Sequence, residues 1–292
     1  MLTTIMSYPE RGKYGDNKYR GNCSGELIKD LILHFRPKHV SDFACGSNTT
    51  GDVCTELGIS SVCMDLNPAY GGFDLLNDEI PVSSDFIFFH PPYHDIIRYS
   101  GNMWGKEPDE RDLSRCRTYE EFIHKINGVN ARLITSLRKG GHLAILIGDV
   151  RKNGNLYCPV KDMTWYGKVE ALCIKNQHNC FSDRIKYSGS FIAIYHEYLL
   201  ILKREDCYIL PVRIVKQIDF DLRQSTRISW HDVVLAALEK LGGKATLEQL
   251  YSEIEGHGKT KGNRFWQEKI RQVLQQYQEF KSMSRGVYAL SV

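Results

Sequence analysis

A histidine followed by two prolines and a tyrosine, His90-Pro91-Pro92-Tyr93, ends a run of four apolar residues, Phe86 to Phe89. Four such residues are too few for a helix and read as a buried strand. Each proline fixes its own φ, removes a backbone donor and holds its predecessor extended. The tip of the strand is therefore stiff, and it carries an imidazole, free carbonyls and an aromatic ring. A neutral imidazole keeps one acceptor nitrogen; imidazolium keeps none. In an open α/β sheet, ligands bind outside the carboxyl ends of the strands, which makes this tip a place for chemistry. A plain Pro-Pro turn is the bland alternative.

Upstream, Cys45-Gly46-Ser47-Asn48-Thr49-Thr50-Gly51 follows a predicted strand and opens a predicted helix. Small residues there let the backbone approach a ligand, and the helix start offers unpaired N–H groups. The strand after it ends in Asp65-Leu66-Asn67-Pro68, about 20 residues on, where nucleotide-binding folds place the acid that accepts ribose hydroxyls. Phe73-Asp74-Leu75 supplies a further acid downstream. Either acid also fits an ordinary turn.

Taken together these stretches resemble DNA amino-methyltransferases, which modify the exocyclic amine of adenine or cytosine. Val40-Ser41-Asp42-Phe43-Ala44-Cys45-Gly46-Ser47-Asn48-Thr49-Thr50-Gly51 is similar to the family's first motif, Phe73-Asp74-Leu75 to its third, and His90-Pro91-Pro92-Tyr93 to its fourth. Gly148-Asp149-Val150-Arg151 and His196-Glu197-Tyr198 follow family habits. The resemblance implies S-adenosylmethionine as cofactor, held by Asn22, Asp42, Ala44, Cys45, Gly46, Asp65, Leu66 and Asp74. It implies catalysis by His90 and Pro91, which accept the N–H bonds of the target amine. Pro92 stiffens the tip, and Tyr93 stacks on a flipped base. Phe43-Ala44 replaces the usual Pro-Phe, and Asn48 stands where a second glycine is usual; Asn tolerates φ > 0 better than most residues. His90 replaces the usual Asp, Asn or Ser. Activity is expected to fall as His90 is protonated, earlier on acidification than in an Asp enzyme. His196 reads as a packing histidine.

The elements that must position these residues are legible as periodicities. Residues 24–37 form an amphipathic helix with Leu27, Ile28, Leu31 and Ile32 inward, and residues 39–44 and 60–64 form strands. Residues 119–137 form a helix with Phe122, Ile126, Val129, Leu133 and Leu137 on one face, and residues 142–147 form a buried strand. Residues 168–176 read as a helix; residues 191–202, preceded by Gly189, and residues 208–215 read as strands, antiparallel late in the sheet. Residues 94–118 are polar and basic, and read as a lid that contacts DNA, with Trp104 stacking on or wedging beside a base. The fold class expected is α/β: a Rossmann-like methyltransferase sheet with flanking helices, plus a small α+β winged-helix domain.

That second domain begins where composition changes near residues 224–227, giving 1–224 and 225–292. Helices at 230–241, 247–254 (N-capped by Thr246) and 263–277 precede strands at 280–283 and 287–290, the order of a winged helix. Residues 256–285 hold seven Lys/Arg against two acids, a net of +5 in a chain of net +3. A basic segment on a near-neutral body is the footprint of a nucleic-acid contact. Arg264, Lys269, Arg271 and Arg285 are the candidate DNA-binding residues; a winged helix used for protein contacts is the rival.

With 292 residues, 42% apolar and 25% charged, the chain has the proportions of a soluble globular protein. No apolar run approaches about 18 residues, so no membrane span is expected, and the first residues lack the flank and core of a signal peptide. Nine cysteines without a Cys-x-x-Cys pair fit reduced thiols in a cytoplasmic protein. Cys173, His178 and Cys180 come nearest to a metal set but lack a fourth ligand, so no metal is expected. The expected partners are double-stranded DNA and, left open, a cognate restriction enzyme. The sequence leaves open cytosine N4 as target, RNA or protein as substrate, and a non-catalytic DNA-binding protein on a relic fold.

Overall fold

The computed structural model describes residues 2–178, 192–216, 218–219, 221–222 and 225–291. Its contacts divide the chain into two compact units, Met1–Val215 and Lys216–Val292, the division falling earlier than the change in composition.

The first unit runs β1 (Ile5–Ser7), α1 (Gly25–Phe35), β2 (His39–Asp42), α2 (Thr49–Leu57), β3 (Ser60–Cys63), β4 (Phe86–Phe89), α3 (Tyr119–Ser136), β5 (His142–Gly148), β6 (Val150–Lys152), β7 (Asn155–Tyr157), α4 (Pro159–Asp162), β8 (Trp165–Tyr166), β9 (Lys168–Asn176), β10 (His196–Lys203) and β11 (Val212–Arg213). Seven strands form one sheet in the order β1-β9-β10-β5-β4-β2-β3. Pairing is parallel except on the two sides of β10, which alone runs against the others. This is the Rossmann-like α/β sheet expected.

Each side of the sheet has its own core. Phe86 and Phe88 face α1 and α2 with Leu27, Ile28, Leu31, Val53, Leu146 and Leu199. Ile87 and Phe89 face α3 with Phe122, Ile126, Val129, Leu133 and Ile145. Strands covered on both faces read as continuous apolar runs, which is why β4 has no polar position. From β2 the chain goes outward to β3, then returns past β2 to β4, so the strand order reverses between β2 and β4. The crevice at such a switch point lies beyond the carboxyl ends of those strands. The glycine turn follows β2 and His90 follows β4.

Several expectations are corrected. Residues 168–176 are strand β9, paired with β10 and β1, not a helix. Residues 208–215 yield only the two-residue β11, paired with β8 rather than with the main sheet. β10 begins at His196. Cys180, Gly189, Phe191 and Gln224 lie outside the described residues. Cys173 is buried in the α1-side core, and His178 Nε2 lies 2.8 Å from Ser7 Oγ. No described helix is long and apolar enough to cross a membrane.

The second unit contains α5 (Trp230–Lys240), β12 (Lys244–Thr246), α6 (Leu247–Ile254), α7 (Trp266–Gln276), β13 (Phe280–Ser284) and β14 (Val287–Leu290). β14 lies between β12 and β13 in an antiparallel sheet. Val234, Leu238, Leu250, Ile270, Val273 and Phe280 fill its core. Thr246 starts α6 with a reciprocal cap: its hydroxyl accepts from Gln249 N (3.2 Å), and Gln249 Oε1 accepts from Thr246 N (2.8 Å).

Candidate active site

The glycine turn is held from below by two acids. Asp42, at the end of β2, accepts from Thr50 Oγ1 (2.5 Å) and Ala44 N (3.1 Å), closing the turn onto the start of α2. Burial pushes its carboxyl up to about 7, against the pull of those two donors. Asp65 accepts from Gly46 N (2.9 Å) and Asn67 N (2.8 Å). Burial raises its pKa, and the two N–H groups work against that. Asn48 adopts φ 65° and ψ 30°, the left-handed conformation that the missing glycine would otherwise supply. Gly51 makes room for it, since a Cβ there would stand 2.3 Å from Asn48 Oδ1.

All eight residues expected to hold the cofactor line one cavity of about 110 Å³: Asn22, Asp42, Ala44, Cys45, Gly46, Asp65, Leu66 and Asp74. His90, Pro92 and Trp104 line it too. Phe43, Phe73, Leu75 and Leu113 give it apolar walls. Asp74 commits part of its acceptor capacity to its own loop, taking Leu76 N (2.9 Å) and Asn77 Nδ2 (2.8 Å). Ser47 Oγ is buried on the cavity wall with no hydrogen-bond partner among the described residues. Two residues that sequence reasoning missed, Tyr19 and Tyr99, also line it; their rings stack 5.8 Å apart, and Tyr19 lies 2.9 Å from where a Gly46 Cβ would stand. Small-molecule sites usually exceed about 300 Å³. Carboxylates at two strand ends, an orphaned hydroxyl, turn N–H groups and apolar walls suit an adenosine-bearing cofactor.

A second, larger cavity of about 1100 Å³ adjoins the first. Gly21, Asn22, Cys23, His90 and Tyr99 line both, so the imidazole stands on the shared wall. Arg11, Arg20, Arg151 and Lys175 outnumber Asp149 and Glu197 among its charged lining residues. Pro91 lines this second cavity. Trp104 lines the first cavity, with His90 and Pro92, and not the second. The 94–118 segment is pinned by Asp112, which accepts from Ser100 N (2.8 Å), Ser100 Oγ (2.7 Å) and Ser114 N (2.8 Å).

Tyr93 Oη lies 2.9 Å from His90 Nε2 and donates to Glu197 Oε1 at 2.5 Å. The ring lies over Gly148, where a Cβ would come within 2.7 Å of it. Lys175 Nζ donates to Glu197 Oε2 at 2.5 Å. Burial lowers the His90 pKa to about 4; Lys175 and Arg11 add to the effect and Glu197 opposes it. The early acid sensitivity expected of an ordinary imidazole is therefore corrected: His90 stays neutral well below pH 6.5. Glu197 and Lys175 were missed from sequence. The available signal was an acid close before the apolar run Leu199–Leu202 of β10, since a buried charge must have a partner. Arg264, Lys269, Arg271 and Arg285 belong to the second unit; all but the half-buried Lys269 are exposed. Arg271 pairs with Glu268 at 3.2 Å.

No protein-family model matches the sequence, and no curated protein matches it either. Among solved structures, the chain is similar to TrmN from Thermus thermophilus at 14% identity, covering 64% of this chain and 51% of that one, with a TM-score of 0.39. TehB from Haemophilus influenzae is 12% identical over 61% of this chain and 62% of that one, with a TM-score of 0.34. A SAM-dependent methyltransferase from Archaeoglobus fulgidus is 11% identical over 63% and 96%, with a TM-score of 0.33. The chain spans about half the length of the first of these.

Proposed function

We propose that the chain transfers a methyl group from S-adenosylmethionine to the exocyclic amine of a base in DNA, adenine N6 in preference to cytosine N4. One observation carries the reading: His90 stands on the wall shared by a cavity with nucleoside-type acceptors and a larger one in whose lining basic residues outnumber acids.

The amine of adenine is a poor nucleophile because its lone pair is delocalised into the ring. Two acceptors on its N–H bonds favour the tetrahedral nitrogen and turn the lone pair towards the electrophile, a preorganised electrostatic effect. The His90 imidazole and the Pro91 carbonyl are those acceptors. Asp65 accepts the ribose hydroxyls and Asp74 the adenine amine of the cofactor, which supplies an electrophilic methyl on a sulfonium. Holding the amine in line with that methyl contributes much of the remaining acceleration. A duplex base must leave the stack to reach this site, and Arg11, Arg20 and Arg151 offer charge to the phosphates around it.

The second unit serves as a winged-helix DNA-binding domain, with Arg264, Lys269 and Arg285 on phosphates and Arg271 partly engaged by Glu268. A restriction enzyme reading the same sequence is the partner such an activity would protect against. The test is transfer of a labelled methyl from the cofactor to duplex DNA, RNA and protein in parallel, with cofactor binding followed by calorimetry. Label in DNA alone supports the reading. Label only in RNA or protein overturns the substrate, and absence of cofactor binding overturns the enzyme.

A further inference from the structure

Four side-chain positions form a row across four neighbouring strands. β4 leads into His90, β5 ends in Gly148, β10 carries Glu197, and β9 carries Lys175. Glu197 is the register partner of both Gly148 and Lys175. By the two-residue period of a strand, the row continues the α1-side face of Phe88, Leu146, Leu199 and Cys173. Tyr93 fills the gap that Gly148 leaves and joins the two ends. The contacts then read Lys175 Nζ to Glu197 Oε2 (2.5 Å), Glu197 Oε1 to Tyr93 Oη (2.5 Å), and Tyr93 Oη to His90 Nε2 (2.9 Å).

We infer that Glu197 and Lys175 are positioning residues that, through Tyr93, hold His90 in the Nε2–H tautomer and leave the Nδ1 lone pair open as the acceptor. The inference rests on the amine-acceptor reading of His90.

The direction of each bond follows from proton counting. An ammonium only donates, so Lys175 keeps Glu197 a carboxylate. A carboxylate only accepts, so the single proton of the Tyr93 hydroxyl goes to Glu197 Oε1. The phenolic oxygen is then an acceptor towards His90, and Nε2 must carry the hydrogen. A neutral imidazole has one N–H, so Nδ1 is left with its lone pair. That nitrogen makes no hydrogen bond with the described residues, and it is not among the enclosed unpartnered atoms. Neutrality itself is supported by burial and by Lys175 and Arg11, against Glu197. Cys23 and Tyr99 also act on Tyr93; burial pushes the Cys23 thiol up to about 12 and raises the Tyr99 phenol well above its ordinary range, so neither adds charge. An ion pair with side chains only 10% and 9% exposed is a weak stabiliser, because desolvation offsets its attraction. Setting a tautomer gives it a use that stability does not.

Glu197→Gln tests this by reversing the row without changing its shape. The carboxamide turns its oxygen to Lys175 and its NH2 to Tyr93 Oη. The Tyr93 proton then points at His90 Nε2, and the imidazole must take its hydrogen on Nδ1. The readout is the long-range 1H–15N spectrum of the full chain labelled on histidine nitrogen, without cofactor or DNA, with His90 assigned by loss of its signals in His90→Gln. The wild type is expected to show Nε2–H and Glu197→Gln to show Nδ1–H. Methyl transfer by Glu197→Gln is expected to lose about 10²-fold in kcat, the cost of misdirecting one such group, with cofactor Kd within about twofold. Tyr93→Phe leaves the Lys175–Glu197 pair intact and is expected to give a mixture of tautomers; it decides the matter if Glu197→Gln does not fold. An Nδ1–H wild type, or a tautomer unmoved by the folded variants, overturns the inference. Because the spectrum is independent of activity, a wild type with Nε2–H and no methyl transfer overturns the proposed function and leaves the relay standing.

Discussion

An imidazole at a strand tip works as an acceptor only while neutral, and the pKa of His90 decides over what range that holds. Burial lowers it to about 4, with Lys175 and Arg11 assisting and Glu197 opposing. A group whose folded pKa is depressed in this way stays neutral as pH falls through 6.5 and charges only near 4. The kcat of methyl transfer is therefore expected to be flat from about pH 8 to about 5, with folding followed by circular dichroism in the same buffers. A fall centred near pH 6.5 would show an imidazole of ordinary pKa and remove the protection assigned to burial. The identity of His90 as the strand-tip residue was legible in sequence because two prolines fix the tip. Its partners were not, since Tyr93, Glu197 and Lys175 meet only once four strands lie side by side.

At the scale of elements, the glycine turn depends on left-handed backbone at Gly46 (φ 53°) and Asn48 (φ 65°). Left-handed backbone costs a residue with a Cβ about 1–2 kcal/mol, and a Cβ on Gly46 would also stand 2.9 Å from the Tyr19 ring. Gly46→Ala is expected to weaken cofactor binding at least about tenfold by calorimetry while the first unit stays folded. Unchanged affinity would separate the turn from the cofactor. Elements with a clean period were readable: α1, α3, β4 and β5 each have an apolar face or run fixed by burial. β9 was not. Val169, Leu172 and Cys173 fall at helical spacing, Leu172 and Ile174 are both 41% exposed, and a register shift against β10 at Ile201/Leu202 interrupts the strand period. Pairing with β10 and β1 overrode the local pattern, as tertiary context commonly does.

Over the whole molecule, chemistry and affinity are assigned to different units. The acceptors and both cavities belong to Met1–Val215, and the +5 segment belongs to Lys216–Val292. On the proposed reading, phosphate binding by the second unit would contribute sequence-independent affinity that falls with salt. Arg264→Glu combined with Lys269→Glu is expected to weaken duplex binding and to reduce the slope of log K against log salt by about 1 for each cation removed from a phosphate. The kcat of this double variant on saturating short duplex is expected to match the wild type. An unchanged salt slope would assign the basic segment to another partner.

The most direct test of the central claim is modification-detecting sequencing of DNA from cells expressing the wild-type chain or His90→Ala at equal levels. Methylated adenine at one recurring sequence, present with the wild type and absent with His90→Ala, is the result expected. Marks that persist undiminished in His90→Ala, or no base modified by a soluble, cofactor-binding wild type, would contradict it.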